Sequence, residues 1–198
     1  MKLKQILICL GVLTCAVAKA QNPTDSEKEY VAAVTKRSDK VLTELQLADS
    51  VKYRQVRDIM VQQYVELNNL QEQKNEEQAA QRRAELHKAY ISKLSARLTP
   101  AQVEKIKDGM TYGVLPVTYK AYTDMIPTLK DEEKSQIMSW LTEARELAMD
   151  GGSSEEKHKV FGKYKGRINN YLSGRGYNIQ EERKNWEARI KASKPNGR

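Results

Sequence analysis

The sequence contains neither proline nor glycine between Pro23 and Pro100, so the two residues that most readily end a helix are missing from this run. Glu, Gln, Lys, Leu and Ala, which favour helix, are frequent in it. Its apolar residues recur three and four positions apart, as at Val56, Ile59 and Met60, which is the spacing of one helix face. The run therefore predicts long amphipathic helices.

The middle of this run, residues 71–83, has no large apolar side chain. A helix that is polar on all sides is either exposed to solvent or unstable alone. We therefore interpret this tract as the projecting part of a long central helix, or as the tip of a helical hairpin.

The clearest helix start in the sequence is the run Leu98-Thr-Pro-Ala-Gln-Val103. Thr99 is placed as the N-cap, Pro100 as the first helical residue, and Gln102 as the second partner of a capping box. Gly109 is then the expected end of this helix, because glycine is the usual residue just after a helix C-terminus.

Residues 110–127 are the least regular part of the sequence, because Gly113 and Pro116 interrupt them. Further amphipathic segments follow, and no alternating strand pattern stands out. The fold class predicted is all-α: a bundle of about six helices with a long central helix or hairpin and an irregular segment near 110–127. We expect a single domain over residues 21–198, with a flexible basic tail from about residue 191.

The first twenty residues have the three parts of a secretory signal peptide. Lys2 and Lys4 give a basic start, residues 6–17 are mostly apolar, and Ala18 and Ala20 are the small residues before a cleavage site. The apolar part is shorter than the roughly 20 residues of a membrane-spanning helix. We therefore expect cleavage after Ala20, a periplasmic or secreted location, and no stable membrane insertion afterwards. A retained anchor or a lipid anchor is the alternative.

The positive charge of the chain is concentrated near its C-terminus. The net charge is +8, and residues 157–198 contain twelve Lys and Arg residues against three acidic residues. For an exported protein, the accessible polyanions are acidic polysaccharides, lipopolysaccharide and anionic lipids, and we expect no nucleic-acid partner. A solvated basic surface without a ligand is the alternative.

Residue types that catalysis requires are sparse. Cleavage would remove both cysteines, Cys9 and Cys15, and with them any cysteine nucleophile or thiolate ligand. His87 and His158 are far apart, and no zinc-protease, phosphate-loop or nucleophile-elbow motif occurs. We expect no metal or other cofactor. A binding role is favoured over catalysis, although two distant carboxylates of a glycosidase type stay open.

Nine of the thirteen aromatic residues follow residue 110. Tyr and Trp combine an apolar face with a polar group, which suits a sugar ring. Three tyrosines lie in the irregular segment, and donors such as Lys165 and Asn169 accompany the rings of the run Lys163–Tyr171. Core packing at helical spacing is the alternative for the rings of that run. The candidate ligand-binding residues are Tyr112, Tyr119, Tyr122, Lys163, Arg167 and Asn170.

Four runs carry a resemblance to a known family: Leu98–Gly113, Pro116–Tyr122, Glu143–Asp150 and Gly151–Leu172. Through them, and over roughly residues 27–180, the chain resembles the exported domain-of-unknown-function 3826 family of polysaccharide-degrading Gram-negative bacteria. The resemblance implies a helical, exported, sugar-binding protein, and it implies no particular catalytic or binding residue. A weaker resemblance, through Leu98–Gln102, is to periplasmic helical chaperones of the Leu-Thr-x-x-Gln type.

Three functional hypotheses result from the sequence. The first is an exported, non-enzymatic protein that binds a glycan, with acidic polysaccharides included. The second is a periplasmic helical chaperone or protein-interaction module. The third is a polysaccharide-acting enzyme with an unrecognised site. The sequence determines neither the ligand nor the oligomeric state.

Overall fold

The computed structural model describes residues 24–71 and 73–193, and all the regular secondary structure in these ranges is α-helix. The predicted all-α class is therefore confirmed. The predicted signal peptide and residues 194–198 of the predicted tail lie outside the described residues. The eight helices of the described part are α1 Asp25–Thr43, α2 Ser50–Leu70, α3 Glu76–Ser95, α4 Pro100–Met110, α5 Val114–Met125, α6 Asp131–Met149, α7 Ser154–Gly174 and α8 Ile179–Ser193.

The predicted number of about six helices is too low. The central element is divided into α2 and α3, and Asn75 caps α3 by accepting a hydrogen bond from the backbone N–H of Gln78. The segment near 110–127, predicted to be irregular, contains α5. Pro116 is the third residue of α5, where the backbone N–H has no partner inside the helix in any case, so the proline is tolerated.

The predicted capping box at the start of α4 is confirmed. The Thr99 side chain accepts a hydrogen bond from the backbone N–H of Gln102, and the Gln102 side chain accepts one from the backbone N–H of Thr99. Leu98 and Val103, on either side of the box, are buried in the same apolar cluster. Local sequence therefore fixes both the start of α4 and its direction of entry into the core.

The end of α4 differs from the prediction. Gly109 lies inside the helix, and a Cβ built on it would be 2.6 Å from Cγ1 of Val41, so the glycine permits close packing of α4 on α1. The turn after α4 is formed by Tyr112 (φ 58°) and Gly113 (φ 65°). The N–H of Gly113 donates to the carbonyl of Asp108 at 2.8 Å, as in a Schellman motif. The left-handed conformation of Tyr112 costs roughly 1–2 kcal/mol, because its Cβ crowds the backbone.

The apolar helix faces pack into two clusters. The N-terminal cluster comes mainly from α1–α4, and the C-terminal cluster comes from α5–α8. Helix α6 belongs to both, because Met149 at its end enters the N-terminal cluster. Fully buried members of the N-terminal cluster include Leu42, Val56, Met60, Leu94 and Ile106, and those of the C-terminal cluster include Ile126, Ile137, Leu141, Ile168 and Leu172.

The order of packing follows the chain. Helices α1, α2 and α3 pack on one another in sequence, and α4 packs on α1, α3 and α6. In the second half α6 packs on α7, while α8 packs on both α5 and α7. None of the helices in the described residues is sufficiently long and apolar to cross a membrane. The position of α8 leaves a groove between three helices.

Candidate functional site

A groove of about 340 Å³ lies where α5, α7 and α8 meet, and we call it the α5–α7–α8 groove. Within each helix the lining residues recur at intervals of three or four positions, so each helix presents one side to the groove. The lining residues are Val117, Thr118, Ala121, Tyr122 and Met125 from α5, Lys165 and Asn169 from α7, and Arg183 and Trp186 from α8.

The floor of the groove is largely apolar. Val117 is 69% exposed, the highest exposure among the large apolar side chains that are exposed in the described residues. Trp186 is partly exposed and packs with its buried part against the C-terminal cluster. A rigid indole beside aliphatic side chains gives a surface onto which the apolar face of a ring can pack.

Hydrogen-bond donors surround this floor. The Tyr122 hydroxyl donates to Oδ1 of Asn169 at 2.7 Å, and the amide N–H groups of Asn169 have no acceptor within residues 24–71 and 73–193. Neither Lys165 nor Arg183 forms a salt bridge within those ranges. Burial raises the pKa of Tyr122 to about 12, against a smaller lowering by Arg183, so the hydroxyl is protonated at neutral pH. The groove therefore suits hydrogen-bond acceptors of a ligand better than hydrogen-bond donors of a ligand.

One contact holds α8 against α5 at the end of the groove. Nη2 of Arg189 donates to the carbonyls of Asp124 at 2.8 Å and Met125 at 3.0 Å. These carbonyls belong to the last turn of α5, where a cation is favoured by the helix dipole. Arg189 thus positions the helix that carries Trp186.

The structure does not bring the three candidate tyrosines into one cleft. Only Tyr122 lines the groove; its ring is buried and its hydroxyl makes the contact with Asn169. Tyr119 is half-buried against the C-terminal cluster. Tyr112 is 46% exposed and stacks on His158, with 5.7 Å between ring centroids and 13° between ring planes.

The other three candidate residues lie on α7 away from the groove. Lys163 and Arg167 border a different hollow, between α6 and α7. The Arg167 guanidinium carbon lies 4.5 Å from the ring centroid of Trp140. Asn170 is exposed, and its side chain makes no hydrogen bond within the described residues. The six candidate residues therefore do not form one site.

Arg183 and Trp186 were not among the candidate residues of the sequence analysis. Their spacing of three residues on a predicted amphipathic helix was visible, and so was the basic C-terminal charge. The docking of α8 against α5 could not be predicted from the sequence, because it depends on long-range contacts such as that of Arg189 with Met125.

A second group of polar residues, which we call the His87 cluster, joins α3, α4 and α6. Nε2 of His87 lies 3.4 Å from a Glu146 carboxylate oxygen, and Nδ1 lies 2.9 Å from an Asp150 oxygen. The Asp150 carboxylate, followed by that of Glu146, raises the pKa of His87 to about 9 against the effect of burial. His87 is therefore charged at neutral pH.

Arg145 is the cationic centre of the same cluster. Its side chain is 5% exposed and forms ion pairs with Glu104, with Asp108 at 2.7 Å and with Glu146 at 3.2 Å. Although burial opposes the charge, partners that include His87 lower the pKa of Glu146 to about 2. Each charged side chain of the His87 cluster therefore has at least one partner of opposite charge. No group of three or more His, Cys, Asp or Glu residues in the described ranges is arranged to hold a metal ion.

A buried lysine lies at the junction between α6 and α7. Nζ of Lys157 donates to the carbonyls of Ala148 and Met149, both at 3.0 Å. These carbonyls end α6, so the ammonium group acts as a C-terminal cap for that helix. Burial lowers the pKa of Lys157 to about 8. Its two backbone partners give this lysine a structural role.

The sequence comparisons identify one family. No curated protein matches the chain. The model of the family described as Protein of unknown function (DUF3826) matches residues 31–83 and 70–192, which together include all eight helices except the first residues of α1 and the last residue of α8. The chain therefore belongs to the DUF3826 family.

Proposed function

We propose that this protein is an exported, non-enzymatic glycan-binding protein and that a sugar residue binds in the α5–α7–α8 groove. The observation that carries the proposal is the arrangement of the groove: a partly exposed indole and aliphatic side chains lie next to Lys165, Asn169 and Arg183, which can donate hydrogen bonds to a ligand. At about 340 Å³ the groove is near the lower end of the volumes typical of small-molecule sites, which suits one or two sugar rings.

The composition of the floor supports a carbohydrate ligand. A sugar ring has an apolar C–H face and a rim of hydroxyl groups. Trp186 and Val117 can pack against the apolar face, while the amide of Asn169 can donate to the rim. A purely apolar ligand would cover the Asn169 amide without giving its N–H groups an acceptor, which is unfavourable.

The charges favour an acidic sugar. Lys165 and Arg183 are two cations at one groove, and neither is neutralised by an ion pair within the described residues. A planar guanidinium binds a carboxylate through two parallel hydrogen bonds. A uronic acid, in which the carboxylate is attached to the sugar ring, would satisfy both the floor and the cations.

The location of the perturbed titratable groups supports binding over catalysis. Those with the largest shifts among carboxylates and histidines, His87 and Glu146, are in the His87 cluster and are matched in ion pairs. Catalytic acids and bases are usually groups with shifted pKa values that face a ligand cavity. In the α5–α7–α8 groove, the residue with a resolved shift is Tyr122, whose hydroxyl is engaged with Asn169.

The groove can be tested with two substitutions. Calorimetry of the purified protein with oligogalacturonates, which are chains of uronic acid, should show binding that is stronger than to neutral gluco-oligosaccharides of equal length. Trp186→Ala should weaken it about fivefold, since a ring contact is worth around 1 kcal/mol. Arg183→Gln should reduce the preference for acidic over neutral chains.

The matched control is Arg54→Gln, which removes the same charge from an exposed residue of α2. It should leave the affinity unchanged. Circular dichroism should confirm that every variant keeps the helical fold. Affinity for oligogalacturonates that is equal in the wild type, Trp186→Ala and Arg183→Gln would rule out the groove as the site.

Export is part of the proposal and rests on the pattern of the first twenty residues. When the full chain is produced in a Gram-negative host, we expect most of it in the periplasmic or extracellular fraction. N-terminal sequencing of that fraction should begin at Gln21. A chain that stays in the cytoplasm and begins at Met1 would contradict the proposed location, without bearing on the groove.

A further inference from the structure

Three cations lie in a row along α7, on the other flank from the α5–α7–α8 groove. Lys159, Lys163 and Arg167 are four residues apart, so each lies about 6 Å further along the helix axis than the one before. All three side chains are exposed. We call this row the cationic edge of α7.

Two adjoining hollows, of about 480 and 430 Å³, follow the cationic edge. Both are lined by Val160 and Lys163, so they form one elongated surface. Leu147 of α6, which is 53% exposed, lies beside Val160 and extends the apolar strip next to the cations. The two hollows therefore form one elongated surface along α7.

The charges of the cationic edge are weakly neutralised. Neither Lys159 nor Lys163 forms a salt bridge within the part of the chain that the structure describes. Arg167 lies 3.8 Å from Glu143, and both side chains of that pair are more than half exposed. Glu156, which borders one hollow, accepts a hydrogen bond from a backbone N–H before α7. The edge therefore presents a net positive charge to solvent.

Aromatic contacts hold one end of the row in place. Arg167 stacks on Trp140, and the Trp140 ring meets the Tyr171 ring edge to face, with 5.2 Å between centroids. A guanidinium that stacks on an aromatic ring keeps its N–H groups free at the periphery for an anion. The contact with Trp140 thus fixes the orientation of Arg167 toward a ligand, whereas a solvated lysine side chain would stay mobile.

Next to the cationic edge, the surface of α7 carries no side chains at Gly162 and Gly166. Both glycines are exposed and lie inside the helix, where glycine is less favourable than alanine. A Cβ built on either one would meet no atom within 4 Å. Packing within the described residues therefore does not require them, and they leave room for a ligand chain to approach the helix closely.

We infer that the cationic edge of α7 binds an extended acidic polysaccharide, with carboxylates on the three cations and the C–H faces of the sugars on Leu147 and Val160. A linear polyanion fits because it carries charges at regular intervals along its length, as the row does. The inference rests on the proposed function for the class of ligand, and it adds a second surface that favours long chains.

The test compares chain lengths and two triple variants. Binding of polygalacturonate and of short oligogalacturonates is measured by calorimetry at several salt concentrations. The variant Lys159→Gln, Lys163→Gln, Arg167→Gln should bind polygalacturonate about tenfold more weakly, with a flatter salt dependence, because three charge contacts are lost. Its affinity for a short oligogalacturonate that fits the groove should change little.

The matched control replaces three exposed cations of the N-terminal half, as Lys36→Gln, Lys40→Gln, Arg54→Gln. It makes the same change in net charge and should leave polygalacturonate affinity unchanged. An equal loss in both triple variants would overturn the inference, because the attraction would then be a net-charge effect. Binding of phosphatidylglycerol vesicles without any binding of polygalacturonate would overturn it in favour of a lipid surface.

The two proposals fail separately. If Trp186→Ala weakens the binding of short and long chains alike and the α7 triple variant behaves as the wild type, the cationic edge is excluded while the groove stands. If Trp186→Ala and Arg183→Gln have no effect and the α7 triple variant alone loses polygalacturonate, the groove is excluded while the edge stands.

Discussion

Replacing Arg145 with alanine should lower the free energy of unfolding by up to about 3 kcal/mol, the lower end of the cost of breaking a buried ion pair, because water can reach the carboxylates that are left behind. The Arg145 side chain is 5% exposed and pairs with Glu104, Asp108 and Glu146. Its loss would leave carboxylates of two helices close together without their shared cation. Urea denaturation followed by circular dichroism measures the change.

Two further variants separate charge from packing. Arg145→Met keeps most of the side-chain volume, and we expect it to recover less than half of the lost stability. Arg82→Ala removes an exposed arginine that pairs with Glu85 at 3.1 Å, and it should change stability by less than about 1 kcal/mol. If Arg145→Met were as stable as the wild type, the ion pairs would have no net stabilising role.

The stabilising effect of His87 should disappear in alkaline solution. The folded state raises its pKa from the ordinary 6.5 to about 9, so the folded protein keeps a proton that the unfolded chain loses. The contribution is complete below pH 6.5 and is lost as the pH rises through 9. We expect the difference in unfolding free energy between the wild type and His87→Gln to shrink by up to about 3 kcal/mol over this window.

Comparing the wild type with His87→Gln at each pH cancels the effects of other titrating groups on the free energy of unfolding. The pKa of Lys157 is lowered to about 8, so this residue has the opposite effect between pH 8 and its ordinary value of 10.5. Both proteins contain Lys157, and its effect therefore cancels in the difference. Glu146, with a pKa of about 2, stays ionised throughout. If the difference in unfolding free energy between the wild type and His87→Gln were the same at pH 6 and pH 10, His87 would not carry the charge assigned to it.

Local features of the fold could be predicted from the sequence because they depend on neighbouring residues. The capping box of Thr99 and Gln102 needs only a spacing of three positions, and the structure has it as expected. The apolar face of α7, which carries Phe161 and Ile168, follows from helical periodicity in the same way. The all-α class is the sum of such local signals.

Features that depend on docking were predicted less well. Gly109 resembled a helix end because glycine is common there, yet its role is to let α4 approach Val41 of α1. Glu146 in the last turn of α6 and Asp150, which caps that helix, are four residues apart, but nothing local indicates that both carboxylates face His87 of α3. The groove is a similar case, since its lining comes from three helices.

Helix α8, which forms one wall of the groove, buries few of its side chains against the rest of the molecule. Ile179 is the only buried residue of α8 in the described range, whereas α6 and α7 each bury several. Helices with few buried contacts are the first to open in native-state hydrogen exchange. We therefore expect α8 to open before α6 and α7, with loss of only Ile179 and Trp186 from the C-terminal cluster, which would give a ligand an entry route from the side. Part of the binding free energy would then be spent on ordering this helix, and the occupied protein would protect its α8 amides from exchange.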